Sequence, residues 1–168
     1  MPIMAARVDQ KLIHGQVTLA WAPFLGVEEI VVADDLALES QLLMEIMASG
    51  VQPPAKKASF VSPVKLAEYL RARLAKPDDP RLLILFRDVT GALEAFSEGL
   101  CCASLNLGNH FCLSSQYQAL RLADSFFVSP DDFQALTALA RQGLDIYFQA
   151  LPADLPVPFD PGRYRWTL

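Results

Sequence analysis

Arg7-Val8-Asp9-Gln10-Lys11-Leu12-Ile13-His14-Gly15-Gln16-Val17 joins a short apolar run, Ile3 to Ala6, to a helix-like pattern that begins near Gln16. The apolar run reads as a first strand. One of only two histidines therefore sits on a loop between strand and helix, flanked by Arg7 and Lys11 and followed by a glycine. In an open α/β sheet, the loops at the carboxyl ends of strands gather ligands and chemistry. A neutral imidazole is a nucleophile near pH 7, and adjacent cations can hold a phosphate. Gly15 lets the backbone approach a bound group closely, and a helix starting at Gln16 aims free N–H groups at the loop. These residues point to a phosphoryl-accepting or acid–base histidine. The plainer alternative is a loop histidine that caps a helix or fills a polar pocket.

Outward from that stretch, strand and helix signals alternate to the end of the chain. Val27 to Ala33 reads as a second strand, ended by Asp34-Asp35. Leu38 to Ala48 has helical spacing, with Leu42, Leu43, Ile46 and Met47 on one face. Lys57 to Val61 fits a third, short strand. Ser62-Pro63 then starts a helix that runs to about Leu74, and the breaker cluster Lys76-Pro77-Asp78-Asp79-Pro80 follows as a surface loop. Leu82 to Phe86 is continuously apolar, which marks a central strand buried on both faces. Asp88 to Glu98 reads as a helix stopped by Gly99, and Cys102 to Leu107 as a strand. Phe111 to Leu113 suits a short extra strand. Ser125 to Val128 is a strand, and Ser129-Pro130 begins a helix stopped by Gly143. Leu144 to Gln149 is the last strand, and the Pro-rich tail from about residue 151 reads as irregular. The pattern predicts a single α/β domain over residues 1–168. Its sheet is mainly parallel and open, with six to seven strands and helices on both faces.

At 168 residues the chain suits one domain with a substantial core, and 52% apolar residues suit a sheet covered on both faces. A net charge of −5, without a basic tail, argues against nucleic acid as a partner. The sequence shows neither a membrane-length apolar run nor a signal peptide, so a soluble, cytoplasmic protein is expected. Cys101, Cys102 and Cys112 have no zinc-like spacing, and G-x-G-x-x-G and Walker patterns are lacking, so no metal or nucleotide cofactor is expected.

The run R-V-D-x-x-L-I-H-G-Q-V, followed by Trp21, resembles the IIB component of the mannose/fructose/sorbose family of bacterial sugar phosphotransferase systems. In that family R-(I/V)-D-(D/E)-R-L-(I/L)-H-G-Q-V carries the phosphorylated histidine. The resemblance implies that His14 accepts a phosphoryl group from a soluble IIA partner and passes it to a sugar at a membrane-embedded IIC/IID component, without a cofactor. Such a protein would be cytoplasmic and held to the inner face of the membrane through its partners, and a homo-oligomer is compatible with this picture. The resemblance also implies that Arg7 neutralises phosphate, that Asp9 orients the loop or the imidazole, and that Nδ1 of His14 carries the phosphate. Two positions depart from the pattern: Gln10 replaces an acid and Lys11 replaces an arginine. The second change keeps the charge but loses the bidentate fork. Lys11 shares the loop with His14 and is the better candidate for phosphate contact; a solvated surface lysine is the plain alternative.

Asn106-Leu107-Gly108-Asn109-His110 resembles the family's N-(V/I)-G-G segment, with Asn109 replacing the second glycine; asparagine tolerates a left-handed backbone better than most residues. Asn106, Gly108, Gly15 and Gln16 are therefore expected at the phosphate loop. His110 is either a second functional histidine or a partly exposed loop residue. Arg87, just past the Leu82–Phe86 strand, is expected near the first loop and within reach of phosphate. Asp34, Asp35 and Asp88 allow a rival reading as a receiver-like signalling domain. Helix capping is the simpler account, because a receiver places its acidic pair after the first strand. A regulatory IIB-like protein and a silent interaction module are further alternatives.

Overall fold

The structure, a computed structural model, describes residues 3–73, 79–111 and 119–164. Its main sheet has seven strands in the order β3-β2-β4-β1-β5-β8-β9. These are β1 (Ile3–Asp9), β2 (Glu29–Ala33), β3 (Lys57–Val61), β4 (Leu82–Phe86), β5 (Ser104–Asn109), β8 (Asp145–Phe148) and β9 (Val157–Pro158). All neighbours pair in parallel except β8 and β9. β1 and β4 lie together near the middle, and every residue of β2 and β4 is buried: Leu82–Phe86 and residues 30–33 are continuous apolar runs, and Glu29 at the start of β2 is buried against Arg73 and Ser59.

Period-two alternation sorts the strand residues between two cores. On one face Val31, Ile84, Phe86, Val8, Leu107 and Phe148 pack under α4 (Leu66–Arg73), α5 (Val89–Ser97) and α6 (Pro130–Arg141). On the other, Ala5, Ile30, Val32, Leu83 and Leu85 pack under a π-helical stretch, Gln16–Trp21, and the helices α1 (Ala22–Leu25), α2 (Asp35–Leu38) and α3 (Gln41–Ser49). Helices thus cover both faces. Local signals end them where the sequence places the stops. Ser129 and Asp132 form a capping box at α6, and Gly99 and Gly143 adopt φ of +92° and +90° beyond α5 and α6.

Several expectations change. β1 continues through Arg7 and Asp9, so both are strand residues and the loop begins at Gln10. Residues 104–109 form β5, so Asn109 lies in a strand instead of a left-handed turn. Phe126–Val128 (β7) does not join the main sheet. It pairs antiparallel with β6 (Leu120–Ala123), a strand too short and too polar at Arg121 to stand out in the sequence. Of the apolar stripe on α3, Met47 is buried and Leu43 is partly buried in the core, but Leu42 and Ile46 are exposed. The tail is more ordered than its prolines suggest. It supplies β9, a 3-10 turn at Pro161–Arg163, and Phe159 to the core. Leu74, Cys112 and the strand expected through Leu113 lie outside the described residues.

Candidate active site

Alternation places Arg7 and Asp9 of β1 on the same face of the sheet as Asn106 of β5, opposite the face where Val8 and Leu107 enter the core. Arg7 is fully buried. Its Nε and Nη2 donate to Asp9 Oδ2 at 3.1 and 2.9 Å. Nη1 donates to Asn106 Oδ1 and, at 3.0 Å, to the carbonyl of Gln149; Nη2 also reaches the carbonyl of Ala150 at 3.2 Å. A guanidinium has five N–H donors, so Arg7 has none left. Trp21 lies 5.0 Å beneath it and donates its own indole N–H to the Ala150 carbonyl at 2.9 Å. Burial pushes the Arg7 guanidinium below its ordinary range, and the Asp9 charge pulls against that shift.

Asp9 passes this order to the histidine. Its Oδ1 accepts the Lys11 backbone N–H at 3.2 Å and faces His14 Nε2 at 3.0 Å, while Oδ2 holds Arg7. An ionised carboxylate can only accept, so the hydrogen in its bond to His14 sits on Nε2. A neutral His14 then carries its lone pair on Nδ1. The imidazole is 20% exposed, while the Asp9 side chain is fully buried. The His14 carbonyl accepts from the N–H groups of Val17 and Thr18 at 3.0 and 2.9 Å, and from the Thr18 hydroxyl at 3.2 Å. The helix start therefore pins the loop. On the other side Leu12 buries its side chain completely at φ +54°, the one positive φ outside glycine among the described residues. A branched side chain in that region is strained, and packing holds it there.

The expectation that Arg7 and Gly108 meet phosphate is corrected by this geometry. Arg7 is enclosed and saturated, and its guanidinium holds Asp9. Gly108 makes room for it: a Cβ at residue 108 would land on the Arg7 guanidinium. Asn106 is likewise buried, accepting from Arg7 and donating from Nδ2 to the Gln149 carbonyl at 3.2 Å. Arg87 does not point freely toward the first loop. It grips Asp34 at 2.6 Å, and that bond raises its affinity for the proton. Lys11 is exposed on the loop. Gln16 Oε1 accepts from Asn109 at 3.1 Å, and Gln10 Oε1 accepts from the Phe111 backbone at 3.0 Å, so both tie the loop to the end of β5. Gly15 stands exposed at the helix start with helical φ and ψ of −53° and −42°.

His110 differs from His14 in every respect. It is buried, its Nδ1 lies 2.6 Å from the Phe127 carbonyl, and its ring packs 5.2 Å from that of Phe126. Asp34 caps α2 through the Ala37 N–H at 2.9 Å, and Asp88 caps α5 through Gly91 at 2.8 Å, as simple capping predicts. Sequence reasoning missed the carbonyls of Gln149 and Ala150, the clearance at Gly108 and the strain at Leu12. The available signal was polar Arg7, Asp9 and Asn106 at positions of their strands that alternate with the apolar Ala6, Val8, Leu105 and Leu107.

A family model described as "PTS system sorbose subfamily IIB component" matches residues 3–162. The chain belongs to this family of IIB components. Such components transfer phosphoryl groups in sugar phosphotransferase systems. Among its relatives, the sorbose-specific EIIB component of Klebsiella pneumoniae is 26% identical over 155 residues, spanning 92% of this chain and 90% of the relative. The fructose-specific EIIB component of Bacillus subtilis (strain 168) is 24% identical over 159 residues, spanning 95% and 94%. The crystal structure of the IIBSor domain of the Klebsiella pneumoniae sorbose permease superposes with a TM-score of 0.80 at 25% identity, over 94% of this chain and 93% of that one. The mannose-specific EIIAB component of Escherichia coli (strain K12) matches at 24% identity, with 92% of this chain covering only 46% of that relative. Within the IIB family the domain works alongside IIA and membrane components. No helix among the described residues is long and apolar enough to cross a membrane.

Proposed function

We propose that His14 is the phosphoryl acceptor of this IIB component, and that Nδ1 is the nucleophile. The observation that carries the reading is the contact between Asp9 Oδ1 and His14 Nε2, which leaves Nδ1 as the nitrogen with a lone pair. Nδ1 attacks the phosphorus of a phosphohistidine on a IIA-type donor. The P–N bond to the donor breaks as the P–Nδ1 bond forms. The imidazole becomes cationic in that step, and the Asp9 carboxylate against Nε2 stabilises the charge where it develops. Lys11 and the Gly15 and Gln16 N–H groups, ahead of the Val17 and Thr18 donors that the His14 carbonyl takes up, meet the incoming phosphate oxygens, and Gly15 lets the donor come close. The phosphoryl group then passes to a sugar hydroxyl at a membrane-embedded IIC/IID partner, with the protein on the cytoplasmic side. No cofactor enters, because in-line transfer needs positioning and charge.

The test is phosphorylation by a reconstituted phosphotransferase relay, read by intact mass and acid lability. The parent and His110→Gln proteins should each gain one acid-labile phosphate, and His14→Gln should gain none while folding normally. Equal labelling of His14→Gln would refute the assignment.

A further inference from the structure

The underside of the site is anchored by a segment of ordinary appearance. The turn after β8 presents two successive carbonyls, Gln149 and Ala150, to the buried guanidinium of Arg7. The same two carbonyls accept from Asn106 Nδ2 and from Trp21 Nε1, so four donors from β1, β5 and the first helix converge on one dipeptide. Two carbonyls can point the same way only if the turn is held. Its own side chains hold it. Gln149 Nε2 donates to the carbonyls of Pro152 and Asp154 at 3.2 and 2.8 Å, and the Asp154 carboxylate accepts the Leu151 N–H at 2.8 Å. Asp154 is exposed and Gln149 only partly covered, so neither serves the core.

We propose that Gln149 and Asp154 are positioning residues for His14, acting through the turn carbonyls, Arg7 and Asp9. The inference rests on the reading of His14 as the phosphoryl acceptor. Arg7 can present Nε and Nη2 squarely to Asp9 Oδ2 only while its remaining N–H groups have acceptors, because a buried guanidinium cannot turn to water. If the turn relaxes, Nη1 and Nη2 lose the carbonyls and the guanidinium shifts. Asp9 is then free to rotate, and Nε2 loses the acceptor that keeps the lone pair on Nδ1. Turn chemistry more than 130 positions from His14 in sequence thus sets which ring nitrogen is nucleophilic.

The experiment compares Gln149→Leu, Asp154→Ala and Asp154→Asn with the parent. The first two remove the turn's internal bonds, whereas asparagine keeps an oxygen for the Leu151 N–H. Two measurements are made: the ring-nitrogen shifts of His14 by 15N NMR on unphosphorylated protein, and the kcat and KM of transfer from a phosphorylated IIA partner. Gln149→Leu should move the His14 nitrogens toward a tautomer mixture and lower kcat by about tenfold, with KM for the donor within about twofold. Asp154→Ala should do the same to a smaller extent, and Asp154→Asn should restore both readouts. Unchanged nitrogen shifts and kcat in both Gln149→Leu and Asp154→Ala would overturn the proposal. A parent that labels elsewhere than His14 would instead refute the acceptor assignment, and the nitrogen shifts would still decide whether the turn governs the imidazole.

Discussion

Gly108 and Gly15 lie on the inner and outer sides of the His14 loop, and a methyl group would meet different surroundings at each. At residue 108 it would fall on the Arg7 guanidinium. At residue 15 it would meet only Leu19 Cδ1, at 4.0 Å, and the backbone there is helical and open to every amino acid. Beneath the loop each donor of Arg7 is used and both carboxylate oxygens of Asp9 are engaged. Above it Lys11, Gly15, Leu19 and Phe24 are exposed, the last two at 71% and 66%. The inner glycine is demanded by the chain itself. Any demand for the outer one comes from what approaches His14.

The largest effect should come from breaking the inner side. Gly108→Ala drives Arg7 out of its pocket and leaves Asp9 buried without its partner, a loss of about 3–5 kcal/mol. Urea unfolding would read it as a lowered midpoint, and a loss below about 1 kcal/mol would contradict the close approach. On the outer side the balance reverses. Lys11→Ala should leave stability within about 0.5 kcal/mol, yet weaken transition-state binding by about 1–3 kcal/mol, the range for a hydrogen bond to a charged group. Single-turnover transfer should slow roughly tenfold to a hundredfold, while Lys11→Arg keeps or improves the rate by restoring the fork. Unaltered transfer in Lys11→Ala would make it a solvated lysine and leave the phosphate to the helix N–H groups. The smallest effect sharpens the contrast most. Gly15→Ala should raise stability by about 0.5–1 kcal/mol, while transfer from the IIA donor slows because the methyl occupies the approach. A variant that is more stable and equally fast would mean that no partner packs against Gly15.

The fold was legible because β4 and residues 30–33 of β2 are unbroken apolar runs and because Ser129, Gly99 and Gly143 punctuate helices by local chemistry. The contact between Asp9 and His14 was legible from the motif and from spacing within one strand and loop. The enclosure of Arg7 was not, since an arginine beside a proposed phosphoacceptor reads equally well as a phosphate ligand. What decides it are a missing Cβ at residue 108 and two backbone carbonyls past residue 148, and backbone atoms leave no mark in a sequence. Arg87 was misjudged for a related reason. Its partner, Asp34, belongs to a neighbouring strand's exit, and only the sheet order brings them together. The hairpin at residues 120–128 escaped notice because one of its strands is four residues long and carries Arg121.

The short β9 strand has a consequence for how copies of this protein coexist at high concentration. A sheet edge with free N–H and C=O groups invites another strand to add, and natural proteins blunt such edges with prolines and charges. Here β9 covers the outer edge of β8, pairing Val157 with Phe148 and Pro158 with Tyr147, and Pro156 and Pro158 have no N–H to offer a newcomer. At the opposite border β3 opens with Lys57, whose ammonium is tied to Glu29 at 3.3 Å. The β9 border of the sheet therefore resists growth by strand addition, whereas the β3 border carries only this one charge, at its first residue.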